Sequence, residues 1–241
     1  MKERDQTITS GIFVLVAVLS ATWQIQAQDT KAPDAKTPYP RMAPLDQYLM
    51  TDRNAEIALA RTAAPKSISA DATILVLGQH GYEIAAKGTN GFVCIVERAW
   101  MSPFDHPEFW NPKNRSPICY NAPAARSILP YTFKRTELVL AGLTNPQMLD
   151  SIKAALARKE LPTPEPGAMS YMLSKESYLN DKVGHWYPHL MFHIPKTDGA
   201  SWGANLNDSP VMLDPRFVPE PETIFLVPVA KWSDGTPAPP M

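Results

Sequence analysis

Three of the five histidines in the chain lie close together, at His185, His189 and His193. A spacing of four would place them on one face of an α-helix, where imidazoles can share a metal ion. Residues 189–194 favour a strand instead, because apolar residues alternate with the two later histidines. On a strand, side chains four positions apart are separated by roughly 13 Å, too far to share one ion. The sequence therefore predicts no metal at these histidines.

A histidine can also act as a general base when a carboxylate orients it. His189 is the candidate base, and its candidate partners on other segments are Glu97, Asp105 and Glu108. His106, beside these acidic residues, is a further candidate site residue. Two structural interpretations without a catalytic role stay open. In the first, His189 and His193 line the more polar face of a sheet strand. In the second, Asp105 and His106 belong to a solvated loop.

Motifs for nucleotide chemistry are missing: the sequence has no Gly-x-Gly-x-x-Gly and no phosphate-loop lysine motif. The net charge of −1 provides no electrostatic footprint for nucleic acid. We therefore predict no cofactor and no nucleic-acid partner.

The two cysteines, Cys94 and Cys119, are predicted to form a disulfide. An even count leaves no orphan thiol, and an oxidising compartment favours the bridge. Two free core cysteines or half of a metal site are the alternatives, although a zinc site would need more Cys or His nearby. The bridge would hold the segment 100–125, which is rich in proline and aromatic residues, onto the sheet.

The N-terminus has the features of an export signal. Lys2 and Arg4 precede the apolar run Gly11–Ala21, and a plausible cleavage site follows, which predicts a signal peptide over residues 1–27. The apolar run is shorter than the roughly 20 residues that span a bilayer, so no integral span is predicted after cleavage. Residues 28–44 are polar and rich in proline, which predicts a disordered leader. The predicted location is periplasmic or secreted.

Strands are predicted where apolar residues run or alternate. Thr73–Leu77, Tyr82–Ala86 and Phe92–Ala99 are joined by glycine-containing turns, which predicts an antiparallel meander. Two further strands are predicted at Tyr187–Ile194 and Thr223–Val229, and Pro228 favours an edge position for the latter.

Helices are predicted where start signals precede an apolar stripe. Leu45–Ala64 contains Asp52 as a cap, and residues 130–142 begin with proline. Thr144 or Asn145 caps a third helix. The pattern predicts a single α+β domain over residues 45–241. It would have a mostly antiparallel sheet of about five or six strands, helices on one face, and a disulfide-tethered loop rich in aromatic residues and proline.

Five segments of the chain carry a resemblance: NGFVCIVERAW, FWNPKNRSPICYNAPAARSILP, RTELVLAG, PTPEPGAMSYMLS and HWYPHLMF. They are similar to segments of a group of exported bacterial hypothetical proteins, over nearly all of the predicted mature chain. The resemblance implies export and a single domain, and it implies no activity and no catalytic residue.

Two classes of function follow as expectations. The first is a non-catalytic exported domain that binds a small-molecule ligand, an envelope component or another protein. The second is a hydrolase-like enzyme, with or without a metal, that uses His189 with Glu97, Asp105 or Glu108. Because neither a metal site nor a nucleophile is predicted, the first class is favoured.

Overall fold

The computed structural model describes residues 38–214, 216 and 222–240. Over these residues the chain forms seven strands: β1 Thr73–Gly78, β2 Gly81–Ala86, β3 Val93–Glu97, β4 Ser116–Tyr120, β5 Met169–Met172, β6 His189–Pro195 and β7 Glu222–Pro228. They make one sheet with the order β2-β1-β3-β4-β5-β6-β7. From β3 onward the sheet order follows the chain, and all of these neighbours are antiparallel.

The helices of the described part are α1 Arg53–Arg61, α2 Lys66–Ser69, α3 Ala122–Ser127, α4 Leu129–Leu140 and α5 Asn145–Ala157. The Asp52 carboxylate starts α1, because it accepts hydrogen bonds from the backbone N–H groups of Asn54 and Ala55 at 2.8 and 3.2 Å. A capping box between Thr144 and Gln147 starts α5. Both predicted start signals are confirmed. None of the described helices combines the length and the apolar character needed to cross a membrane.

The predicted antiparallel meander of the first three strands is wrong. β1 pairs antiparallel with β2, but β3 lies on the other side of β1 and runs parallel to it, with Thr73 opposite Val93. The connection from β2 to β3 passes the N-terminal end of β1. It passes so closely that a Cβ on Gly88 would lie 2.2 Å from the Asp71 carbonyl oxygen, so only glycine fits there. The glycine-containing turns and the short connections predicted that β1, β2 and β3 would pair in sequence order. They do not indicate that the chain crosses the end of β1 between β2 and β3.

The sheet is covered on both faces. Ala60 and Ala63, in and just after α1, pack with Ile74, Cys94 and Cys119 on one face. Ile128 and Leu129, at the start of α4, pack with Ile95 and Ile118 on the opposite face. The α+β class and the mostly antiparallel sheet are confirmed. The sheet has more strands than the predicted five or six, and its helices are not confined to one face.

The disulfide between Cys94 and Cys119 is confirmed, with Cα atoms 4.0 Å apart. The two residues are register partners on β3 and β4, so the bridge joins neighbouring strands. Strand β4 lies inside the segment that was predicted to be a loop. The strand was not predicted because it is short and contains Pro117, which is unfavourable within a sheet. The remaining aromatic residues of that loop, among them Trp100, Phe109 and Trp110, pack against α4 and α5.

Part of the predicted disordered leader is packed against the domain. Tyr39, Met42 and Ala43 contact a core cluster, and the Ala43 N–H donates to the Tyr48 hydroxyl at 3.2 Å. That hydroxyl donates in turn to the Trp110 carbonyl at 2.8 Å. The apolar residues among the prolines explain why this end of the leader is held. The predicted signal peptide and residues 28–37 lie outside the described residues.

The segment with the clustered histidines forms a strand, as predicted. β6 contains His189 and His193 on the same face, and it lies between β5 and β7. β7 is at the edge of the sheet, which agrees with the edge position predicted from Pro228. The described residues belong to one compact unit.

Candidate functional site

A cavity of about 300 Å³ lies between one face of the sheet and helix α4. Strands β3 to β7 supply its floor, because alternate residues on each strand point to that face. Most of the wall is apolar, and the apolar side chains include Ile118, Ile128, Met172, Met191, Ile224 and Leu226. The polar side chains that line it include Glu97, Tyr120, Thr132, Arg135, His189, His193 and Glu222.

His193 is held from both sides by polar groups on the neighbouring strands. Its Nδ1 lies 3.1 Å from Glu222 Oε1, and its Nε2 lies 2.9 Å from Ser170 Oγ. A carboxylate can only accept, so Nδ1 carries a proton, and in the neutral ring Nε2 accepts from the Ser170 hydroxyl. All three residues are buried. The two hydrogen bonds fix the orientation of the imidazole ring.

The order of these three groups matches that of a Ser-His-carboxylate triad. Ser170, however, has no exposed surface. It lies in the middle of β5, between Tyr120 and Met191 on the adjacent strands. In this arrangement Ser170 orients His193 and is not itself presented to the cavity.

Glu97 is buried at the cavity and is bound by two hydroxyl groups. The Tyr120 hydroxyl donates a short hydrogen bond to Glu97 Oε1, and the Thr132 hydroxyl donates to the same oxygen at 3.4 Å. Burial raises the pKa of Glu97, and the Tyr120 hydrogen bond opposes that effect. Burial, followed by the charge of Glu97, also raises the pKa of Tyr120 well above its usual value.

Glu97, Tyr120, His193 and Glu222 together form what we call the polar row. The Tyr120 and His193 rings connect its two halves, with their centroids 6.3 Å apart. Each half contains one buried carboxylate bound to a ring side chain. The row places two carboxylates beside a cavity whose wall is mostly apolar.

Arg135 brings a positive charge to the same cavity. It is fully buried, its Nη2 donates to the Ser102 carbonyl at 2.6 Å, and its guanidinium lies 4.2 Å from the centre of the Phe104 ring. Its charge favours the ionised form of Glu97 and so opposes the effect of burial on the pKa of that carboxyl.

His189, the predicted base, lines the cavity but is not paired with a carboxylate. Its Nδ1 lies 2.6 Å from the Tyr187 carbonyl, so that N–H donates and Nε2 is left as an acceptor. Burial lowers the pKa of His189, which favours the neutral ring. Although Glu97 lines the same cavity, the described structure shows no hydrogen bond or ion pair between His189 and any of its three predicted partners.

The other predicted site residues are only partly brought together. His106 lines the cavity, its Nδ1 accepts from the Glu108 N–H at 3.1 Å, and burial lowers its pKa. The Glu108 carboxylate accepts from Asn111 Nδ2 at 2.7 Å, and Asp105 is exposed. The structure thus gathers Glu97, His106 and His189 around one cavity.

The third clustered histidine lies apart from this site. His185 is exposed, its ring packs edge-on against Trp232 at 5.1 Å, and its Nδ1 lies 3.0 Å from the Trp186 carbonyl. In the part of the chain that the structure describes, no group of three or more His, Cys, Asp or Glu side chains is arranged to hold a metal ion.

Sequence reasoning missed Ser170, Tyr120 and Glu222. Tyr120 was hidden because its strand was not predicted, and Ser170 resembles any serine in an apolar run. Glu222 had a usable signal, because it immediately precedes the predicted strand Thr223–Val229. If the strand is extended by one residue, Glu222, Ile224 and Leu226 occupy every second position and share one face. The carboxylate could have been placed on the same face as the apolar residues.

The chain also contains a Gly-x-Ser-x-Gly pattern, which is typical of a hydrolase nucleophile elbow, at Gly199–Gly203. In the structure Gly199–Trp202 is a 3₁₀ turn and does not connect a strand to a helix. Ser201 is exposed, and its hydroxyl donates to the Asp198 carbonyl at 2.7 Å. The pattern therefore does not form a nucleophile elbow here.

Comparison with known proteins gave no match: no family model fits the chain, and no curated protein or solved structure is detectably similar to it. Function is therefore inferred from the geometry of the cavity.

Proposed function

We propose that the protein binds a small, mainly apolar molecule in the cavity between the sheet and α4. The observation that carries this proposal is the cavity of about 300 Å³ with a mostly apolar wall and a few converging polar groups. Small-molecule sites have this composition, and their volumes begin at roughly 300 Å³.

The size of the cavity supports binding over a purely structural role. Protein interiors are closely packed, and voids much larger than a water molecule are few because their walls lose van der Waals contacts. Met191 on the sheet and Ile128 before α4 both line this cavity, and the space between the sheet and the helix is not filled by protein side chains. A ligand of matching shape would restore those contacts.

We also place this function outside the cytoplasm. The features of residues 1–27 support export, and the disulfide between Cys94 and Cys119 is weakly suggestive of an oxidising compartment. The binding partner is then a molecule available in the envelope or outside the cell.

Filling the cavity is expected to weaken binding. Met191 lines the cavity from β6, so Met191→Trp places a large ring in the space that the ligand would occupy. We expect the neutral fluorophore N-phenyl-1-naphthylamine, whose emission rises in apolar surroundings, to bind the wild-type protein. Its affinity for the variant should fall by at least about tenfold, equivalent to about 1.4 kcal/mol. A fluorescence titration measures both values.

The matched control is Met212→Trp, the same substitution at an exposed methionine outside the cavity lining. It should bind the fluorophore as the wild-type protein does. Circular dichroism melts would verify that both variants are folded. Equal binding by all three proteins, or by none, would contradict the proposal.

A second candidate is the hydrolysis of an ester held in the cavity, and the order of Ser170, His193 and Glu222 favours it. Ser170 Oγ would attack the carbonyl carbon while its proton passes to His193 Nε2. His193 would then return the proton to the departing alkoxide, and water would release the acid by the same path. The covered position of Ser170 argues against this function, because the ester cannot reach Oγ in the structure as it stands.

One assay separates the two functions. The binding function predicts that wild-type protein and the Ser170→Ala variant hydrolyse p-nitrophenyl butyrate at the same background rate. A loss of turnover in Ser170→Ala and in His193→Asn, with turnover retained in Ser201→Ala, would instead establish hydrolysis. Ser201 is a suitable control because it is the exposed serine of the Gly-x-Ser-x-Gly pattern.

A further inference from the structure

We infer that the ligand carries a hydrogen-bond-donating head group, a hydroxyl or an amine, which binds Oε2 of Glu222, with an apolar body along the cavity wall. This inference rests on the proposed binding function and names the chemical class that the site would accept.

Glu222 has one carboxylate oxygen engaged and the other left over. Oε1 is 3.1 Å from His193 Nδ1, whereas Oε2 is buried and has no hydrogen-bond partner among the described residues. The side chain is only 2 % exposed, yet it lines the cavity. A buried acceptor of this kind is unfavourable unless a donor reaches it, and a ligand in the cavity is placed to supply that donor.

Two of the donors that line the cavity already bind acceptors within the protein. The Tyr120 hydroxyl donates to Glu97, and the Arg98 guanidinium donates to Glu56 and to the Tyr48 carbonyl. A second acceptor, His189 Nε2, lies at the other end of the cavity wall formed by β6. Glu222 Oε2 and His189 Nε2 are therefore two acceptors at the cavity wall, and they favour a ligand that donates to them.

The body of the ligand follows from the strand that carries Glu222. Ile224 and Leu226 follow it on the same face of β7, and both line the cavity. Glu222 and Leu226 are separated by roughly 13 Å along the strand, from about 3.3 Å per residue. A head group at Glu222 thus leaves an apolar path for a medium-length alkyl chain.

Carboxylate and ether head groups are disfavoured by the same geometry. A carboxylate would place a second negative charge against Glu222, and an ether oxygen offers another acceptor where a donor is needed. Hydroxyl and amine groups both satisfy the buried oxygen, and the experiment distinguishes between them.

The test compares probes with the same chain and different head groups on the full mature protein. Octanol, octylamine, octanoate and methyl octyl ether would each displace N-phenyl-1-naphthylamine from the wild-type protein. We expect octanol or octylamine to act at concentrations at least about tenfold lower than octanoate and the ether, since hydrogen bonds to charged groups are the stronger ones. Whichever of the two is more potent identifies the head group.

The preference is the ratio of the concentrations at which the ether and octanol displace the fluorophore. Glu222→Gln should lower this ratio by about tenfold, whereas Glu176→Gln, at an exposed glutamate, should leave it unchanged. Octanoate or the ether binding as tightly as octanol and octylamine to the wild-type protein would overturn the inference but not the binding function. Failure of the fluorophore itself to bind would overturn the proposed function. The comparison on the wild-type protein decides the question even if Glu222→Gln does not fold.

Discussion

Replacing Arg98 by methionine is expected to lower the free energy of unfolding by about 3–5 kcal/mol. Arg98 is buried, its Nη2 lies 2.8 Å from Glu56 Oε1, and its Nε donates to the Tyr48 carbonyl at 2.7 Å. Without the guanidinium, the hydrogen bond from the Leu77 N–H at 3.2 Å is the one that the buried Glu56 carboxylate keeps among the described residues. The loss arises because one charge stays buried without its partner.

Urea denaturation followed by circular dichroism measures this change. The control is Arg53→Met, which removes an arginine from a solvent-exposed pair with Glu83 and should leave the midpoint almost unchanged. Combining Arg98→Met with Glu56→Gln should recover part of the loss, because no unpaired charge then remains. An Arg98→Met midpoint equal to that of Arg53→Met would contradict the prediction.

Removal of the disulfide is expected to lower the free energy of unfolding by about 3 kcal/mol, through the greater freedom of the unfolded chain. Cys94 and Cys119 are 25 residues apart in sequence and face each other on β3 and β4. The variant Cys94→Ala/Cys119→Ala keeps the register of the two strands but no longer restricts the unfolded loop. Denaturation of both proteins in urea measures the difference.

A reductant supplies the control for this measurement. When it is present throughout unfolding, the midpoint of the wild-type protein should approach that of the double variant, whose own midpoint should not move. The bridge is fully buried, so equilibration must include the unfolded state for the reductant to act. If reduction and the double substitution leave the midpoint unchanged, the bridge contributes nothing to stability and the prediction fails.

The parts of the fold that the sequence predicted correctly depend on local signals. Asp52 and Thr144 start helices through contacts two or three residues away: the Asp52 carboxylate accepts from the Asn54 N–H, and the Thr144 N–H donates to Gln147 Oε1. The strand character of β6 follows from alternation within eight residues. The position of β3 beside β1 has no such signal, since it depends on a connection that crosses the end of a strand.

Less of the candidate site than of the fold could be predicted, because the site depends on contacts between residues that are distant in sequence. Histidines on a strand and Glu97 were visible as candidates, and they do line one cavity. The partners of His193 were not visible, because Ser170 is 23 residues and Glu222 29 residues away along the chain. Which histidine meets a carboxylate is decided by the pairing of β5, β6 and β7, and sequence spacing does not contain that information.

The sequential order of strands β3 to β7 has a consequence for the order in which the site is completed. Each of these strands pairs beside its predecessor in the chain, so the cavity floor can grow from the N-terminal side in the order of synthesis. Glu222, Ile224 and Leu226 all lie on β7, which comes last in sequence among the described strands. If the cavity binds a ligand as proposed, that ligand can contact Glu222 only after β7 has been synthesised and has paired with β6. It would stabilise the native protein by mass action without guiding the early steps of folding.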